Sequence, residues 1–268
     1  MNKKKLYVSN LCWRNKNISF IINVIKRENF SGIDFAPLNY FDSWKNILDN
    51  SKKLNKIFKK ENIKINAIQG IFFKKNLNLF EIDQRKKITN HFKLIIKLCR
   101  IFNSKKIVLG SSSFRNPKNL EKKSADSYFI SYFKYLNQFL KKNRIYLCIE
   151  TIPKNYKEKY IFRFSKLVYL ISKINSSNIK INFDTSLFHY SKLDKKIFLK
   201  NLKKIKNIQI SQPKFTYFSS PTKKNLAFLK LLKKNKKIKD ISLEIIDKKL
   251  NKIKFIKSVQ KLKSSLYN

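Results

Sequence analysis

The sequence predicts an α/β chain folded as one (β/α)8 barrel spanning residues 1–268. Three observations predict it. Short apolar runs alternate with longer helical patterns eight times along the chain. The length of 268 residues fits the roughly 250 that eight strand–helix units occupy. The later strands carry apolar and polar residues in strict alternation, the pattern of a sheet with one apolar and one polar face. A doubly wound open sheet is the alternative, but it rarely uses eight regular repeats. No linker, low-complexity stretch or shift of composition marks a second domain.

Strands are expected at about 5–13, 32–38, 63–73, 105–113, 145–151, 179–186, 205–213 and 240–246. Helices are expected at about 18–29, 44–62, 84–103, 124–143, 163–175, 194–204, 225–235 and 250–266. Their apolar residues recur at i, i+3, i+4; in the third, Ile88, Phe92, Ile95, Ile96 and Cys99 share a face. In the fifth strand Ile145, Leu147 and Ile149 oppose Tyr146, Cys148 and Glu150. In the sixth, Ile179, Ile181 and Phe183 oppose Lys180, Asn182 and Asp184. In the seventh, Ile208 and Ile210 oppose Asn207, Gln209 and Ser211; in the eighth, Ile241, Leu243 and Ile245 oppose Asp240, Ser242 and Glu244. The apolar set must meet the helices, so the polar set must face the barrel interior. A parallel sheet buried on both faces would instead read as continuous apolar runs.

The charge is extreme: 62 Lys+Arg against 16 Asp+Glu, a formal +46. Only seven of the basic residues are Arg, and Lys is spread along every polar helix face. Nucleic-acid surfaces lean on the planar Arg fork gathered in a stripe. The Lys excess accompanies heavy Asn, Ile and Phe usage, the residues of AT-rich codons. A solvated basic surface is therefore expected, with weak polyanion binding and no specific nucleic-acid recognition. Three Gly exclude a Gly-rich phosphate loop, and two His with three Cys exclude a zinc-finger or disulfide framework. Cys12, Cys99 and Cys148 sit among apolar neighbours and read as buried hydrophobes, not nucleophiles. The basic N-terminus is followed by no signal-like apolar stretch, and no window approaches the roughly 18 apolar residues of a membrane span. A cytoplasmic location without membrane contact is expected.

Acids are scarce, so their placement is informative. Asp34, Glu150, Asp184 and Glu244 lie near the C-terminal ends of predicted strands, the rim where such barrels place their active sites. Glu150, Asp184, Gln209 and Glu244 come from four successive strands and are expected at similar height. Clustered carboxylates repel unless a cation neutralises them, and oxygen donors suit Mn²⁺ or Mg²⁺, with Co²⁺ as a third candidate. The plainer reading is that each acid pairs with an inward Lys, Arg or backbone group.

Five segments occur in a telling order: Gly-Ile-Asp34-Phe-Ala-Pro37, Leu-Cys-Ile-Glu150, Ile-Asn-Phe-Asp184-Thr, Ile-Gln209-Ile-Ser-Gln212-Pro and Ser-Leu-Glu244-Ile. With Gln69-Gly-Ile-Phe-Phe after strand three, this order resembles the xylose isomerase-like barrel superfamily of sugar-phosphate isomerases and epimerases. The resemblance covers nearly the whole chain. It implies one divalent metal on Glu150, Asp184, Gln209 and Glu244, with Gln209 standing where the superfamily usually has His. Gln212 likewise replaces a usual Glu. The implied reaction is proton transfer next to a carbonyl, through an enediolate, with Glu150 and Glu244 on opposite faces of the substrate carbon. The substrate would be a small sugar or sugar phosphate. A sugar or inosose dehydratase is a close variant, and a metal-free barrel acting as a basic binding protein is the reading from another class. The superfamily's three-zinc endonucleases need several histidines, whereas only His91 and His189 exist here, with His91 expected on an outer helix surface. Members often form dimers or tetramers, which leaves the homo-oligomeric state open.

Supporting substrate contacts are expected from residues near the rim. Arg115, in Ser-Ser-Ser-Phe-Arg115-Asn-Pro, offers a fork donor for phosphate or carboxylate, or is a solvated loop residue. His189, Gln69, Asn10 and Gln212 could bond sugar hydroxyls; a surface or interior polar role is the alternative. Trp13 could wall the C–H face of a sugar or pack at the rim. Phe72, Phe73, Phe114 and Phe215 are expected to pack.

Overall fold

The computed structural model describes residues 4–190 and 195–267. Eight parallel strands close into a barrel in sequential order. They are β1 Lys5–Ser9, β2 Gly32–Phe35, β3 Lys64–Ile68, β4 Lys106–Leu109, β5 Tyr146–Glu150, β6 Ile179–Asp184, β7 Ile205–Ser211 and β8 Asp240–Glu244. The outer layer comprises α1 Ile18–Arg27, α3 Ile47–Lys60, α4 Arg85–Ile101, α5 Lys122–Lys142, α6 Phe164–Ile174, α8 Lys195–Lys200, α9 Lys223–Lys234 and α10 Lys252–Tyr267. All eight expected strand–helix pairs are present. The strands stop earlier than expected: after Ser9, for example, the chain turns at once into a 3-10 turn because the Ser9 hydroxyl accepts the Leu11 N–H. Two short helices were not expected, α2 Pro37–Tyr40 and α7 Leu187–Tyr190. Residue 194, where the sixth expected helix begins, lies outside the described residues.

With so few glycines, another residue must take the left-handed position that ends a helix. Asn29, Asn62, Asn103 and Asn175 do so at φ 57, 57, 51 and 51°. Asn tolerates this region because its short polar side chain bonds locally. After three of them the next residue's N–H reaches back to the helix: Phe30 to Ile25, Ile63 to Phe58 and Ser104 to Cys99. Each helix thereby turns sharply into the following strand.

The apolar faces of the strands and helices form one core, which includes Ile149, Ile181, Ile210 and Leu243. The opposite strand faces line the interior as the alternation requires. A small apolar layer of Ala67, Val108 and Cys148 fills part of it. The rest is a polar plug around Lys106, whose ammonium donates to Asn66 (2.6 Å) and pairs with Asp240 (2.9 Å). The register of β3 shifts against β2 between Ile33 and Asp34, so that Asn66 and Ala67 both face inward. The three cysteines are free and buried, and burial pushes the Cys148 thiol up to about 12. Among the described residues no helix is long and apolar enough to cross a membrane.

Candidate active site

At the C-terminal mouth of the barrel lies a cavity of about 720 Å³. Glu150 and Glu244 line its floor, and Ser111, Ser112 and Ser113 form one wall. Asp184 is fully buried beside them. Its Oδ1 accepts the Ser186 N–H and the Ser211 hydroxyl, both at 2.5 Å. Its Oδ2 receives no donor. Glu244 faces Asp184, and Glu150 lies close enough to feel the charge of both. A proton carried by Glu244, or a cation, would satisfy the open oxygen.

The electrostatics follow from this crowding. Burial first, then the negative charge of Asp184, push the Glu150 carboxyl up to about 8, against the opposing pull of Arg115. Glu244 is raised well above the ordinary carboxylate range by burial, then by Asp184 and Glu150. Three acids therefore share one low-dielectric mouth, and among the described residues no ammonium or guanidinium is bonded to them. Among the described residues, no three His, Cys, Asp or Glu side chains stand at metal-ligand spacing.

Gln209 does not line the cavity. Its carbonyl accepts from Asn182 at 2.5 Å, and its amide donates to Gln69 (2.7 Å) and Asp34 (3.4 Å). Across the strands Glu150 pairs with Asn182, Asp184 with Gln209, and Glu244 with Ser211. Asp34 also points into the polar interior, where Asn66 donates to it at 2.6 Å, and burial raises its carboxyl.

The other sequence-predicted contacts are spent inside the protein and do not line the cavity. Asn10 bridges both backbone groups of Ala36, at 2.6 and 3.0 Å. Gln69 donates to the Ser9 hydroxyl at 2.5 Å. Gln212 accepts from Asn225 (2.8 Å) and donates to the Ser220 carbonyl (2.7 Å), bracing the loop after β7. Trp13 is buried in the core with Tyr40 against its ring edge. Arg115 is neither a solvated loop residue nor an open fork: it is fully buried and paired with Glu158, whose carboxylate also accepts the Tyr160 and Ile161 N–H groups. Removing one partner of such a buried pair typically costs about 3–5 kcal/mol. His189 sits on α7, its Nε2 buried without a partner, and burial and Lys224 lower its pKa. His91 is not on the surface: it is buried, bonded to the Ile71 carbonyl at 2.5 Å and packed against Trp44 and Phe72.

Two supports of Glu150 escaped the sequence reading. The Asn182 amide donates to its Oε2 at 3.1 Å and is itself held by Asn207 at 2.9 Å. Gly110 leaves the carboxylate room, since a Cβ there would sit 2.4 Å from Oε2. Asn182 and Asn207 were visible as inward positions of the alternation. Gly110 had no signal, because its need arises only from the neighbouring strand.

A family profile described as xylose isomerase-like TIM barrel matches residues 22–228. The fold is similar to that of D-allulose 3-epimerase from Methylomonas sp., at 13% identity and TM-score 0.77, covering 99% of each chain. It is similar to 3-keto-D-glucoside 4-epimerase from E. coli, at 14% identity and TM-score 0.76, covering 98% of this chain and 100% of that one. It is also similar to the IolI protein with a binding zinc atom, at 14% identity and TM-score 0.66, covering 98% and 95%. At these identities the likeness concerns the fold. Among curated proteins, Protein TIC 214 of Capsella bursa-pastoris is 30% identical over 210 residues, 78% of this chain. This chain spans only 11% of that protein's length.

Proposed function

The chain belongs to the xylose isomerase-like TIM barrel family, and from that premise we propose that it is a divalent-metal-dependent sugar isomerase or epimerase. The carrying observation is the trio Glu150, Asp184 and Glu244, drawn from three strands into one buried mouth with an Asp184 oxygen that nothing donates to. Such a group is costly unless a proton or cation compensates it. Its hard oxygen donors fit Mn²⁺ or Mg²⁺, with Co²⁺ tolerated. Glu150, Asp184 and Glu244 would hold the ion by closing in from spacings wider than those of metal ligands. Gln209 would join them only by giving up Asn182. When bound, the ion would polarise the substrate carbonyl.

The chain's own residues supply the proton chemistry. One of Glu150 and Glu244, ionised, takes the proton from the carbon next to the carbonyl. The other, protonated, returns a proton to the opposite face of the enediolate. Carboxyls raised by burial and by the charge of Asp184 suit this division, since one stays protonated while the other is free. Asn182 and Gly110 hold the Glu150 carboxylate in place. A dehydratase would use the same base. The reading of a metal-free basic binding protein draws on one observation, the commitment of the Gln209 carbonyl to Asn182.

Metal content decides between them. About one Mn²⁺ or Co²⁺ per purified chain, lost in Glu150→Ala, with turnover of a ketose or keto-sugar that follows the metal, is the expected result. A chain that holds no divalent ion after dialysis against Mn²⁺ and turns over no sugar would overturn the assignment.

A further inference from the structure

Above the acidic floor the cavity changes character. Phe73, Tyr156, Phe215 and Ile246 surround its upper part. Phe73 and Ile246 are 42% and 49% exposed, two large apolar side chains left open at the mouth. Isolated exposed apolar residues need no explanation, but a contiguous set rimming a cavity does. Phe72 and Phe114, by contrast, stack on each other at 3.9 Å in the core and do pack as expected from the sequence.

The open rings are held there by unusual backbone. Lys214 and Phe215 lie consecutively in the left-handed region, at φ 56 and 54°. For a bulky residue such as Phe this conformation is strained by about 1–3 kcal/mol, and such strain clusters at ligand clamps. The turn is braced by the Phe215 carbonyl accepting from Ile246 N–H at 3.0 Å, and the Phe215 ring rests 5.2 Å from Tyr156. On the other side Gly70, at φ 60°, lets the Phe73 ring fold over its bare Cα; a Cβ would sit 2.8 Å from that ring. Two separate loops thus spend special conformations on presenting aromatic faces to one space.

Several polar groups of the walls are occupied, while Lys75 and Asn76 also line the cavity. The Lys74 ammonium is on the Asp42 carbonyl at 2.7 Å, and the hydroxyls of Ser111 and Ser113 meet each other at 3.4 Å. The one guanidinium near the floor, Arg115, is buried against Glu158. A phosphate would find no preformed fork. A single hexose would also fill only a fraction of about 720 Å³.

We infer that the substrate is a keto-sugar carrying an apolar substituent, such as an aryl or alkyl group on a hydroxyl oxygen remote from the reacting carbonyl. The inference rests on the isomerase or epimerase reading of the floor. The sugar lies on Glu150 and Glu244, and the apolar arm lies between Phe73, Tyr156, Phe215 and Ile246. Burying such an arm between rings adds affinity that a free sugar cannot obtain. The reaction is unchanged: the C–H bond next to the carbonyl breaks, its electron pair moves onto the carbonyl oxygen, and a proton returns to carbon.

The test is equilibrium binding of matched 6-O-methyl, 6-O-hexyl and 6-O-phenyl ethers of fructose, free fructose and fructose 6-phosphate, to the Mn²⁺-treated protein. The phenyl or hexyl ether is expected to bind at least about 10-fold tighter than the methyl ether. That advantage should shrink to about 2-fold or less in Phe215→Ala and Phe73→Ala. Phe73 is exposed, so its removal leaves the core intact and keeps the comparison valid if Phe215→Ala misfolds. Equal binding of methyl and phenyl ethers, or tightest binding of the 6-phosphate, overturns the substituted-sugar inference and leaves the isomerase reading standing. Binding of no sugar, free or substituted, overturns both.

Discussion

Glu150→Gln and Glu244→Gln are each expected to lower turnover by about 10²–10⁴-fold, the usual contribution of a positioned general acid or base. Each substitution is nearly isosteric, so the barrel should be unchanged. The physical setting adds a second expected result. In the metal-free protein burial and the charge of Asp184 raise the Glu150 carboxyl, and burial, Asp184 and Glu150 raise that of Glu244. Replacing either by a neutral amide removes that repulsion. Both variants should therefore melt at the same temperature as the parent or higher, even as activity disappears. A functional site that is costly to the fold shows this opposition of stability and activity. Circular dichroism melts and initial rates on the same preparations check it. Full turnover in both variants would remove Glu150 and Glu244 from the chemistry.

The metal-free protein should also lose stability as pH rises through the range where Glu150 titrates. Glu150 is ordinarily half-protonated near 4.5, and in the fold it is held up to about 8. Between these values the folded chain keeps a proton that the unfolded chain has released. The unfolded state binds fewer protons, so stability is fully present below pH 4.5 and is lost as pH rises toward 8. Glu244 and Asp34, also raised, act in the same direction. A fall in melting temperature of at least about 5 °C between pH 5 and pH 8.5 is expected. The ionisation of exposed acids on a chain of charge +46 relieves repulsion and works the other way. The slope of the parent minus that of Glu150→Gln isolates the buried carboxyl. Saturating Mn²⁺ should cancel the slope, since a cation stabilises the ionised trio. A parent and variant with equal slopes, and no effect of Mn²⁺, would show that Glu150 ionises freely.

The barrel was readable from the residues in order because its causes are local. Eight amphipathic helices follow from 3.6-residue periodicity, and eight strands from two-residue alternation between breakers. The same alternation marked Glu150, Asp184, Gln209 and Glu244 as inward, because a strand's two faces are decided by parity alone. Asn at the helix ends was equally local in cause, yet it was not foreseen as the substitute for glycine. The short helices after β2 and β6 had no periodic signal at four residues each.

Which inward groups meet was decided elsewhere. Closure of the barrel put Gln209 with Asn182, Gln69 and Asp34 and brought the acids of β5, β6 and β8 together. Loop paths turned Arg115 into the core toward Glu158, and they turned Asn10 and Gln212 into braces for the backbone of Ala36 and Ser220. Parity along one strand says which way a side chain points. Only closure of the barrel, which sets the offset of each strand against the next, says at what height it arrives and which neighbour it finds there.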